Sequence, residues 1–415
     1  MDRKKDIIII GGGIIGVSIA YYLARQGRSV TVLEKDDIGA GSSFGNAGLI
    51  ANGFSIPMAA PGVPSQGLKW LFDATSPFYI KPRLNLDLIS WLWKFLRACN
   101  EKQMRRSIPI LLSLGQGSFD LFDDLLAKED MDFGFEHKGR LILFKSEEGF
   151  DKWGNDIDLI KEFGVDVSTL DADGVRQIEP DVLPAVTHGI YCEAYAHVNP
   201  GHFVDEMARI AKNHGVEIKT GTLVTGFEIS DRQISTVLTS KGAYSPNQVV
   251  LAAGAWSPVI ARDLNLRLPI QPAKGYSLTY KRTSTSPQYP LSLSERKIAV
   301  TPMGDKLRFT STLELAGFDP SINERRLAAI RHSVNEYLPG MEELEDEVKW
   351  SGYRPATPDD LPIIERNGKL KNLILATGHG TLGMTHGLIT GKLVSQIILG
   401  ETPLINLTPF RADRF

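Results

Sequence analysis

The spacing of apolar and polar residues along the chain predicts strands that alternate with helices, followed by a stretch of antiparallel strands. Continuous apolar runs, typical of buried parallel strands, lie at 6–10, 29–34, 248–254 and 372–378. Apolar positions at helical spacing predict helices from residue 14 onward and over 86–96, 107–127, 201–214, 321–338 and 384–399. Alternation with turn signals predicts antiparallel strands within 269–313, and shorter strands are predicted at 139–144, 189–192, 197–199, 217–219 and 223–228.

A glycine motif that is typical of a dinucleotide site joins the first strand to the first helix. Gly11 allows a tight turn, Gly13 lets the backbone approach a pyrophosphate, and Gly16 lets the helix lie close to the strand. The N-terminus of this helix offers N–H groups and a positive dipole end to phosphates. Glu34 ends the second strand about 20 residues later, where a carboxylate binds ribose hydroxyls and disfavours NADP. The alternative, a glycine-rich turn in an ordinary α/β protein, leaves Glu34 unexplained.

A second stretch near the C-terminus repeats the order of strand, glycine loop and helix. The strand at 372–378 leads into His379-Gly-Thr-Leu-Gly383 and then into a helix. One dinucleotide needs one such site for its pyrophosphate, so a second helix dipole suits a ring that becomes anionic on reduction, such as a flavin. Residues 39–48 contain four glycines and suit close backbone approach to a ligand, with a flexible surface loop as the alternative.

Composition and charge exclude other classes of function. The net charge of −3 gives no indication of a nucleic-acid partner, and the 415 residues are enough for two or three domains. Cys99 and Cys192 form no metal or disulfide pattern, which fits a reducing, cytoplasmic compartment without a metal site. The basic residues at 3–5 precede an apolar run broken by glycines, which indicates a strand better than a secretory signal. Three arginines of the helix over 321–338 are expected on its solvated side: Arg325, Arg326 and Arg331.

The segment 57–96 is rich in proline and aromatic residues, and two interpretations of it stay open. Its first half, which includes Trp70, Phe72 and Pro77, is predicted to be irregular, and 86–96 form an amphipathic or buried helix. An aromatic stripe usually belongs to a core, and the alternative is a membrane-facing patch. No stretch has the ~18 nearly unbroken apolar residues of a membrane span.

Several stretches spread over the whole chain match one known family. They are the unit at 11–34, Ser43-Phe-Gly-Asn-Ala-Gly48, Ala59-Ala-Pro-Gly-Val-Pro64 with Lys69-Trp-Leu-Phe72, Trp91-Leu-Trp-Lys-Phe-Leu-Arg-Ala-Cys-Asn100, Lys274-Gly-Tyr-Ser277, Tyr353-Arg-Pro-Ala-Thr-Pro-Asp359 and Thr377-Gly-His-Gly-Thr-Leu-Gly383. The chain resembles the FAD-dependent amine and amino-acid oxidoreductases of the D-amino-acid oxidase superfamily, and more narrowly the bacterial D-amino acid dehydrogenases. The glycine unit is shared by many flavoproteins, whereas the third and last stretches are much more specific.

The resemblance implies an α/β fold, α+β overall, in two parts. A Rossmann-type FAD-binding domain would be formed by 1–56, 196–268 and 352–415. A substrate domain built on an antiparallel sheet plus helices would be formed by 57–195 and 269–351. The FAD is expected to be non-covalent, because no cysteine matches the flavin-linking cysteine of sarcosine oxidases.

The resemblance also implies which residues hold FAD. The ADP half would lie on the first glycine motif and Glu34, with Ser42 and Ser43 near the pyrophosphate. Gly45 to Gly48 would border the isoalloxazine, and Val224 would contact the adenine through its backbone. Gly378 to Met384 would cover the pyrimidine end of the flavin. The implied cofactor-binding positions are Gly11, Gly13, Ile14, Ile15, Gly16, Glu34, Lys35, Ser42, Ser43, Asn46, Ala47, Gly48, Leu49, Val224, Ala253, Gly254, Trp256, Gly378, His379, Gly380, Thr381, Leu382, Gly383 and Met384.

Three further side chains are expected to serve the reaction. Arg354 matches the family arginine that binds the substrate carboxylate, and a planar guanidinium does this better than an ammonium group. Tyr276 matches a substrate-domain position that faces the cleft. His379 is expected to position the flavin edge, with general base catalysis and a purely structural role as the alternatives.

The function implied by the resemblance is the oxidation of D-amino acids to 2-oxo acids and ammonia, with hydride transfer from the substrate Cα to flavin N5. A quinone or another acceptor would take the electrons, and peripheral contact with the inner face of the cell membrane is compatible with the sequence. Two alternatives stay open. One is an oxygen-using oxidase of glycine, sarcosine or a proline-like secondary amine, and the other is a flavin-binding subunit without turnover.

Overall fold

The computed structural model describes residues 3–52, 56–70, 78–341, 344 and 346–415 of the chain. Its strands are β1 (Arg3–Ile10), β2 (Val30–Leu33), β3 (Leu49–Ala51), β4 (Phe78–Ile80), β5 (Arg140–Phe144), β6 (Ser168–Asp171), β7 (His188–Cys192), β8 (Tyr195–His197), β9 (Glu217–Lys219), β10 (Val224–Ser230), β11 (Gln233–Thr239), β12 (Gly242–Leu251), β13 (Gln271–Lys281), β14 (Leu291–Leu293), β15 (Ile298–Met303), β16 (Lys306–Leu315), β17 (Asp346–Ala356), β18 (Ile363–Arg366) and β19 (Leu373–Thr377).

The α-helices of the described residues are α1 (Ile14–Ala24), α2 (Val63–Trp70), α3 (Leu86–Ala98), α4 (Glu101–Lys128), α5 (Glu147–Asp151), α6 (Gly154–Glu162), α7 (Ala172–Ile178), α8 (Pro200–Asn213), α9 (Ser257–Asp263), α10 (Glu324–Asn335) and α11 (Gly383–Leu399). Short 3-10 helices cover Gly254–Trp256, Thr408–Phe410 and Ala412–Arg414. The predicted α/β architecture, α+β overall, is confirmed.

The first sheet has the parallel centre that the glycine motif requires. Among the described residues its strands run in the order β10-β11-β12-β1-β2-β9, with β19 also paired to β12 and β18 to β19. The pairs β1–β2, β1–β12, β2–β9 and β12–β19 are parallel. The carboxyl ends of β1, β2, β12 and β19 therefore open toward the same edge, where α/β sheets bind ligands.

Glycines let two helices of this part pack almost backbone to backbone. A Cβ at Gly391 of α11 would lie 2.8 Å from the Ser18 carbonyl oxygen of α1, and one at Gly387 would lie 2.7 Å from Ile14 Cγ1. Both helices begin next to a strand end of the first sheet. The two N-termini thus lie close together, at the edge to which the parallel strands point.

The second sheet is mostly antiparallel and carries the strands of the region predicted to alternate. Among the described residues its order is β17-β13-β16-β15-β14-β5-β7-β6, with β4 paired to β16. One face packs against α10 in a core that includes Leu141, Leu278, Phe309 and Leu327. Since side chains alternate along a strand, the intervening residues of these strands face the opposite side, toward the first sheet.

Most predicted elements are confirmed, with two differences among the described residues. Residues 63–70 form α2, although this stretch was predicted to be irregular. Pro64 does not prevent the helix, because it occupies the first turn, where proline is tolerated. The strand expected at 197–199 lies at Tyr195–His197, ahead of the helix that begins at Pro200. Phe72 and Pro77 fall outside the described residues.

The expectation that Arg326 is a solvated surface charge is wrong. Arg326 is buried, and its Nε lies 2.5 Å from Glu314 Oε1 on β16. The guanidinium carbon also lies 5.1 Å from the centre of the Tyr79 ring. The partner carboxylate lies on β16 and not on the helix that contains Arg326. The spacing of residues along the helix therefore could not show that Arg326 is buried. Arg325, in contrast, is exposed, and Arg331 is half-buried.

The predicted division into two discontinuous domains can be compared with the two sheets, though it stays a prediction. The strands of the first sheet come from the segments 1–56, 196–268 and 352–415. Those of the second sheet come from the other segments, except that β17 continues to Ala356, past the predicted boundary at 352. Helix α4 packs against the first core through residues such as Phe122, although it lies within 57–195.

Candidate functional site: a cavity between the two sheets

A large cavity of about 1530 Å³ lies between the carboxyl edge of the first sheet and the face of the second sheet opposite α10. Its volume exceeds the roughly 300–1,000 Å³ that is usual for small-molecule pockets. The predicted residues that line it are Gly11, Gly13, Ile14, Ile15, Glu34, Lys35, Ser42, Ser43, Asn46, Ala47, Leu49, Val224, Ala253, Gly254, Trp256, Arg354, His379, Gly380, Thr381, Leu382, Gly383 and Met384. Four predicted residues do not line it: Gly16, Gly48, Gly378 and Tyr276.

The first glycine motif forms a turn in which a side chain at Gly11 or Gly16 would clash with the backbone. Gly11 has a φ of +113°, and a Cβ there would lie 2.5 Å from the carbonyl oxygen of Ala252. A Cβ at Gly16 would lie 1.9 Å from the Gly11 carbonyl oxygen, so this glycine sets the distance between α1 and β1. A Cβ at Gly13 would meet only Ser43 Oγ, at 3.3 Å. The backbone at Gly13 is therefore accessible from the cavity.

Glu34 is held at the end of β2 by the glycine turn itself. Its Oε2 accepts a hydrogen bond from the Gly12 N–H at 2.7 Å, and its Oε1 accepts one from the Asp36 N–H at 2.9 Å. The Thr222 N–H donates to the Glu34 carbonyl oxygen at 2.7 Å, which places the start of β10 and Val224 beside this carboxylate. Gly12 was not among the predicted residues, because only its hydrogen bond reveals its role.

The loop after β2 connects the two sheets. Ser43 Oγ accepts a hydrogen bond from the Ile14 N–H at 3.1 Å, at the N-terminus of α1. Ser42 Oγ donates to the carbonyl oxygen of Tyr353 on β17. A Cβ at Gly45 would lie 2.0 Å from Trp350 Cε3, so the Trp350 ring lies against this glycine. Trp350 also lines the cavity, and it is a residue that the sequence did not single out.

Arg308 on β16 holds the same loop in place through hydrogen bonds. The sequence did not single out this residue either. Its Nη1 donates to the carbonyl oxygens of Phe44 and Asn46, at 2.7 and 3.0 Å, and its Nε donates to Thr279 Oγ1 at 3.0 Å. Burial lowers the pKa of Arg308 to about 10, so the guanidinium stays protonated at neutral pH. The residues 44–46 thus rest on a buried positive charge.

The second glycine loop brings His379 to the cavity wall in its neutral form. His379 Nε2 and Thr390 Oγ1 share a hydrogen bond of 3.0 Å within the protein interior. Burial, with a smaller contribution from His386, lowers the pKa of His379 to about 3. An imidazole with this pKa is a weak base at neutral pH. The low pKa argues against proton abstraction, whereas the contact with Thr390 fits both the predicted positioning of the flavin edge and a purely structural role.

Arg354 extends across β13 toward β16, and two local features hold it there. A Cβ at Gly275 would lie 2.0 Å from Arg354 Nη1, so the guanidinium occupies the space above this glycine. Nη1 donates to the carbonyl oxygen of Thr312 at 2.9 Å. Thr312 has a φ of +72° and lies where the register between β13 and β16 shifts. Bulges and such φ values are typical of functional sites.

Among the described residues, no acidic side chain neutralises the charge of Arg354. No carboxylate of the described residues lies within ion-pair distance of it, and its one hydrogen-bond partner there is the Thr312 carbonyl. Burial lowers the pKa of Arg354 to about 10, which leaves it protonated at neutral pH. A half-buried cation on a cavity wall is poorly solvated. The site is therefore prepared for an anionic ligand.

The chain matches the family described as FAD dependent oxidoreductase over residues 6–397. The chain belongs to this FAD-dependent oxidoreductase family. The expected FAD dependence and enzymatic class are thereby confirmed.

Curated relatives cover the whole chain. It is 34% identical to the D-amino acid dehydrogenase of Vibrio atlanticus strain LGP32, over 99% of this chain and 100% of that protein. It is 35% identical to the D-amino acid dehydrogenase of Methylobacterium radiotolerans, over 96% of this chain and 97% of that protein.

Solved structures show the same fold at lower identity. The glycine oxidases of Bacillus cereus ATCC 14579 and Geobacillus kaustophilus match with TM-scores of 0.79 and 0.80, at 23% and 22% identity. They cover 99% and 100% of this chain, and 99% of each solved chain is matched.

The residues of the cavity fit the FAD that the family uses. The glycine turn and the N-terminus of α1 form a surface on which a pyrophosphate can lie, with Glu34 placed for the ribose. The N-terminus of α11 is capped by no side-chain hydrogen bond and has no acidic residue in its first turn, among the described residues. A positive helix end of this kind favours the negative charge that a reduced flavin carries.

The expectation that Tyr276 faces the cleft is wrong. Tyr276 lies in the core on the other face of the second sheet, with Leu278 and Tyr280. Its hydroxyl donates to Glu314 Oε2 at 3.1 Å, and burial raises its pKa well above the usual value for a phenol. Gly275, its neighbour on β13, is the residue that faces Arg354. Because side chains alternate along a strand, Gly275 and not Tyr276 lies on the face of β13 that is directed toward the cavity.

Asp360 is a further cavity residue that the sequence did not indicate. It is buried, has a φ of +65°, and its Oδ2 accepts a hydrogen bond from the Met58 N–H at 2.9 Å. A Cβ on Gly380 would lie 2.9 Å from its Oδ1. Burial raises the pKa of Asp360 to about 6, with the nearby charge of Asp359 acting in the same direction.

We expect Asp360→Asn to stabilise the protein more at pH 8 than at pH 5. Because the folded-state pKa of Asp360 lies above the unfolded value, ionisation costs stability, a cost absent below about pH 4 and complete above about pH 6. This cost is on the order of 2–3 kcal/mol. Asparagine keeps an acceptor for the Met58 N–H and tolerates a positive φ. Thermal unfolding of both proteins across this pH range measures the difference, and an equal gain at both pH values would contradict it.

Proposed function

We propose that this protein oxidises D-amino acids to 2-oxo acids and ammonia and passes the electrons to a lipid-soluble acceptor such as a quinone. The observation that carries the proposal is the Arg354 guanidinium on the wall of an FAD-sized cavity, where no carboxylate of the described residues pairs with it. The D-amino acid dehydrogenases of Vibrio atlanticus and Methylobacterium radiotolerans, as full-length relatives, support the choice of substrate.

Bound FAD would supply the two-electron chemistry, accepting a hydride from the substrate Cα. Arg354 would bind the substrate carboxylate through two parallel hydrogen bonds, which fixes both the position and the plane of the group. A neutral amine is needed for hydride loss, and water then hydrolyses the imino acid. In sum, one amino acid, one water and one oxidised acceptor give one 2-oxo acid, one ammonia and one reduced acceptor.

Walls that exclude water and fix the substrate complete the site. Trp350 and the loop residues 45–47 border the same space as Arg354 and His379. The loop rests on Arg308, so we assign Arg308 the role of positioning the loop that borders the isoalloxazine. Holding the reacting atoms close together accounts for a large share of catalysis in reactions of this kind.

Measured products distinguish this function from its closest rival. Steady-state turnover of D-alanine with a soluble quinone should yield pyruvate, ammonia and reduced quinone in equal amounts. Hydrogen peroxide formed in proportion to substrate, with no benefit from quinone, would instead identify an oxygen-using amine oxidase. The structural similarity to glycine oxidases concerns the fold and is compatible with either result.

Gly275→Ala should weaken substrate binding without replacing any charged residue. The new Cβ would lie 2.0 Å from Arg354 Nη1, so the guanidinium must leave its place above β13. We expect KM for D-alanine to rise about tenfold, as the loss of one charged hydrogen bond does. Gly226→Ala on β10 is the matched control, because the nearest atom to its Cβ is Leu238 Cδ1 at an ordinary 3.7 Å. An unchanged KM in Gly275→Ala would exclude the observed placement of Arg354.

Helix α3 supports contact with a membrane surface. Its inner side, which includes Trp91 and Phe95, lines the cavity, whereas Leu86, Ile89 and Trp93 are exposed large apolar residues. Lys94 and Arg97 lie on the same helix and would face anionic headgroups. No helix of the described residues is long and apolar enough to cross a membrane. We therefore propose peripheral attachment at the inner face of the cell membrane, from which a quinone would reach the cavity.

Trp93→Glu should abolish sedimentation of the protein with vesicles of phosphatidylglycerol and phosphatidylcholine. Trp93 is 63% exposed, and a carboxylate at this position opposes both apolar insertion and the anionic surface. Leu404→Glu is the control, because Leu404 is 62% exposed and lies far from α3 in the chain. Equal sedimentation of the two variants would contradict the assignment of α3.

A further inference from the structure

The cavity extends beyond Arg354 into an arm that the proposed chemistry does not use. Residues of β16, β15, β14 and β5 on the face of the second sheet opposite α10 line this arm, and at β5 this face also packs against α6 through Ile142 and Ile157. The side chains of Arg140, Ser292 and Lys297 lie along it, and Trp153 and Asp156 of the α6 region face them. We name these five residues the distal arm.

Arg140 is a cation of the distal arm, and its hydrogen-bond partners among the described residues are uncharged. Its Nε donates to Ser292 Oγ at 2.7 Å, and its Nη1 donates to the Tyr195 hydroxyl at 3.4 Å. The guanidinium carbon lies 5.2 Å from the centre of the Tyr195 ring. No acidic side chain of the described residues comes within ion-pair distance of it. Neutral partners orient the guanidinium and leave its charge available.

Lys297 adds a second positive charge to the same arm. It lies in the turn before β15, and its Nζ is 5.9 Å from the centre of the Trp153 ring. Lys297 is exposed and lines the cavity, and the surrounding protein lowers its pKa through burial, with Asp156 opposing the shift and Arg140 adding to it. Both facts describe a side chain that projects into an open cavity. Lys297 and Asp156 form no ion pair within the described structure.

The balance of charge in the distal arm is positive. Among these five residues two cations face one carboxylate, that of Asp156, whose pKa is raised by burial. Glu295 is the other acidic residue whose charge affects the pKa of Lys297. It accepts hydrogen bonds from the Tyr337 hydroxyl at 2.6 Å and from the Lys145 N–H at 2.8 Å. It does not line the cavity. The arm can therefore accept an anion without displacing an internal partner.

The spacing of the cations matches a substrate with two acidic groups. The Arg354 guanidinium is hydrogen-bonded at Thr312 on β16, and the Arg140 guanidinium at Ser292 on β14. Strand β15 lies between them, and its Ala299 pairs with Ser292 on one side and with Thr310, two residues before Thr312, on the other. The two anchor points are therefore about 10 Å apart across the sheet and about 7 Å apart along it, roughly 12 Å in all. A glutamate-sized molecule spans such a gap when each carboxylate lies about 2.8 Å from its cation.

We propose that the distal arm binds an acidic group at the end of the substrate side chain, so that dicarboxylic D-amino acids of glutamate size are the preferred substrates. This inference rests on the proposed function, because it assumes that Arg354 holds the α-carboxylate. Arg140 and Lys297 determine specificity in this account and take no part in the hydride transfer.

The test compares D-glutamate with D-glutamine, which has the same shape and no side-chain charge. The wild-type protein should show a kcat/KM ratio that favours D-glutamate at least tenfold. Arg140→Gln, Lys297→Gln and their combination should each lower this ratio, the double variant by about tenfold or more. Arg296→Gln is the control, because Arg296 adjoins Lys297, binds Glu336 at 2.5 Å and does not line the cavity. Its ratio should equal that of the wild type.

A binding measurement that needs no turnover separates the two proposals. Calorimetry on the FAD-loaded protein should show glutarate binding at least tenfold more tightly than pentanoate, with the difference reduced in Lys297→Gln and lost when Arg140→Gln is combined with it. If D-alanine is oxidised but D-glutamate has no advantage and glutarate binds like pentanoate, the distal arm is overturned and the proposed function stands. If no D-amino acid is oxidised but glutarate keeps its Lys297-dependent advantage, the proposed function fails and the arm remains an acid-binding site.

Discussion

Arg354→Ala should lower kcat/KM for every D-amino acid about 100-fold or more, with most of the loss in KM. The guanidinium lies half-buried, bound only to the Thr312 carbonyl among the described residues, so a substrate carboxylate would be its ionic partner. Truncating one member of a desolvated charge pair costs about 2–5 kcal/mol, and about 1.4 kcal/mol corresponds to a tenfold change. The pKa of about 10 keeps Arg354 charged, so the effect should persist from pH 6 to 9.

Two further variants show whether the loss comes from Arg354's charge or from its shape. Arg354→Lys keeps a positive charge but loses the two-pronged geometry, and should restore part of the binding. Arg325→Ala removes an exposed arginine of α10 and should leave the kinetics unchanged. The measurement is steady-state kinetics with D-alanine and a dye acceptor. An Arg354→Ala protein with wild-type KM would remove the carboxylate-binding role.

Gly11→Ala should yield protein that does not retain FAD. At a φ of +113° an L-residue is strained, and the new Cβ would also lie 2.5 Å from the Ala252 carbonyl oxygen, a backbone atom that cannot move aside. The turn between β1 and α1 must therefore open. The surface for the pyrophosphate is lost with it, together with the hydrogen bond between the Gly12 N–H and Glu34.

Gly27→Ala is the matched control for this effect. Gly27 also has a positive φ, +72°, but a Cβ there would have no neighbour within 4 Å. It should lower stability by about 1–2 kcal/mol through strain alone and leave FAD binding intact. Visible absorbance of the purified proteins reports bound FAD, and thermal unfolding reports stability. Full FAD content in Gly11→Ala would contradict the placement of the pyrophosphate.

The sequence indicated the cofactor end of the cavity well, because its features are local. Gly11, Gly16 and Glu34 follow one another within one strand-helix-strand unit, so spacing alone describes their geometry. The second glycine loop is similarly local, since a strand leads directly into Gly378 and α11 follows. Such short-range patterns can be recognised in the sequence without knowledge of how the chain folds.

The substrate end depends on long-range pairing that no local pattern contains. Tyr276 and Gly275 are adjacent, and which of them faces the cavity follows from the register of β13 with its neighbours. The bulge at Thr312 turns a carbonyl toward Arg354 only because β13 lies beside β16. Arg326 is buried because Glu314 is brought to it by the sheet. The contacts of Arg308 and Arg140 likewise depend on how the strands pair, so the sequence alone did not indicate them.

The central claim is that this cavity holds FAD and accepts a D-amino acid against Arg354. The most direct test is anaerobic mixing of the FAD-loaded protein with D-alanine, L-alanine and the corresponding enantiomers of proline and glutamate. Our account predicts that the D-enantiomers bleach the flavin absorbance, that the L-enantiomers do not, and that quinone restores the colour. A flavin that no D-amino acid reduces would contradict the account, and so would one that is reduced equally by both enantiomers.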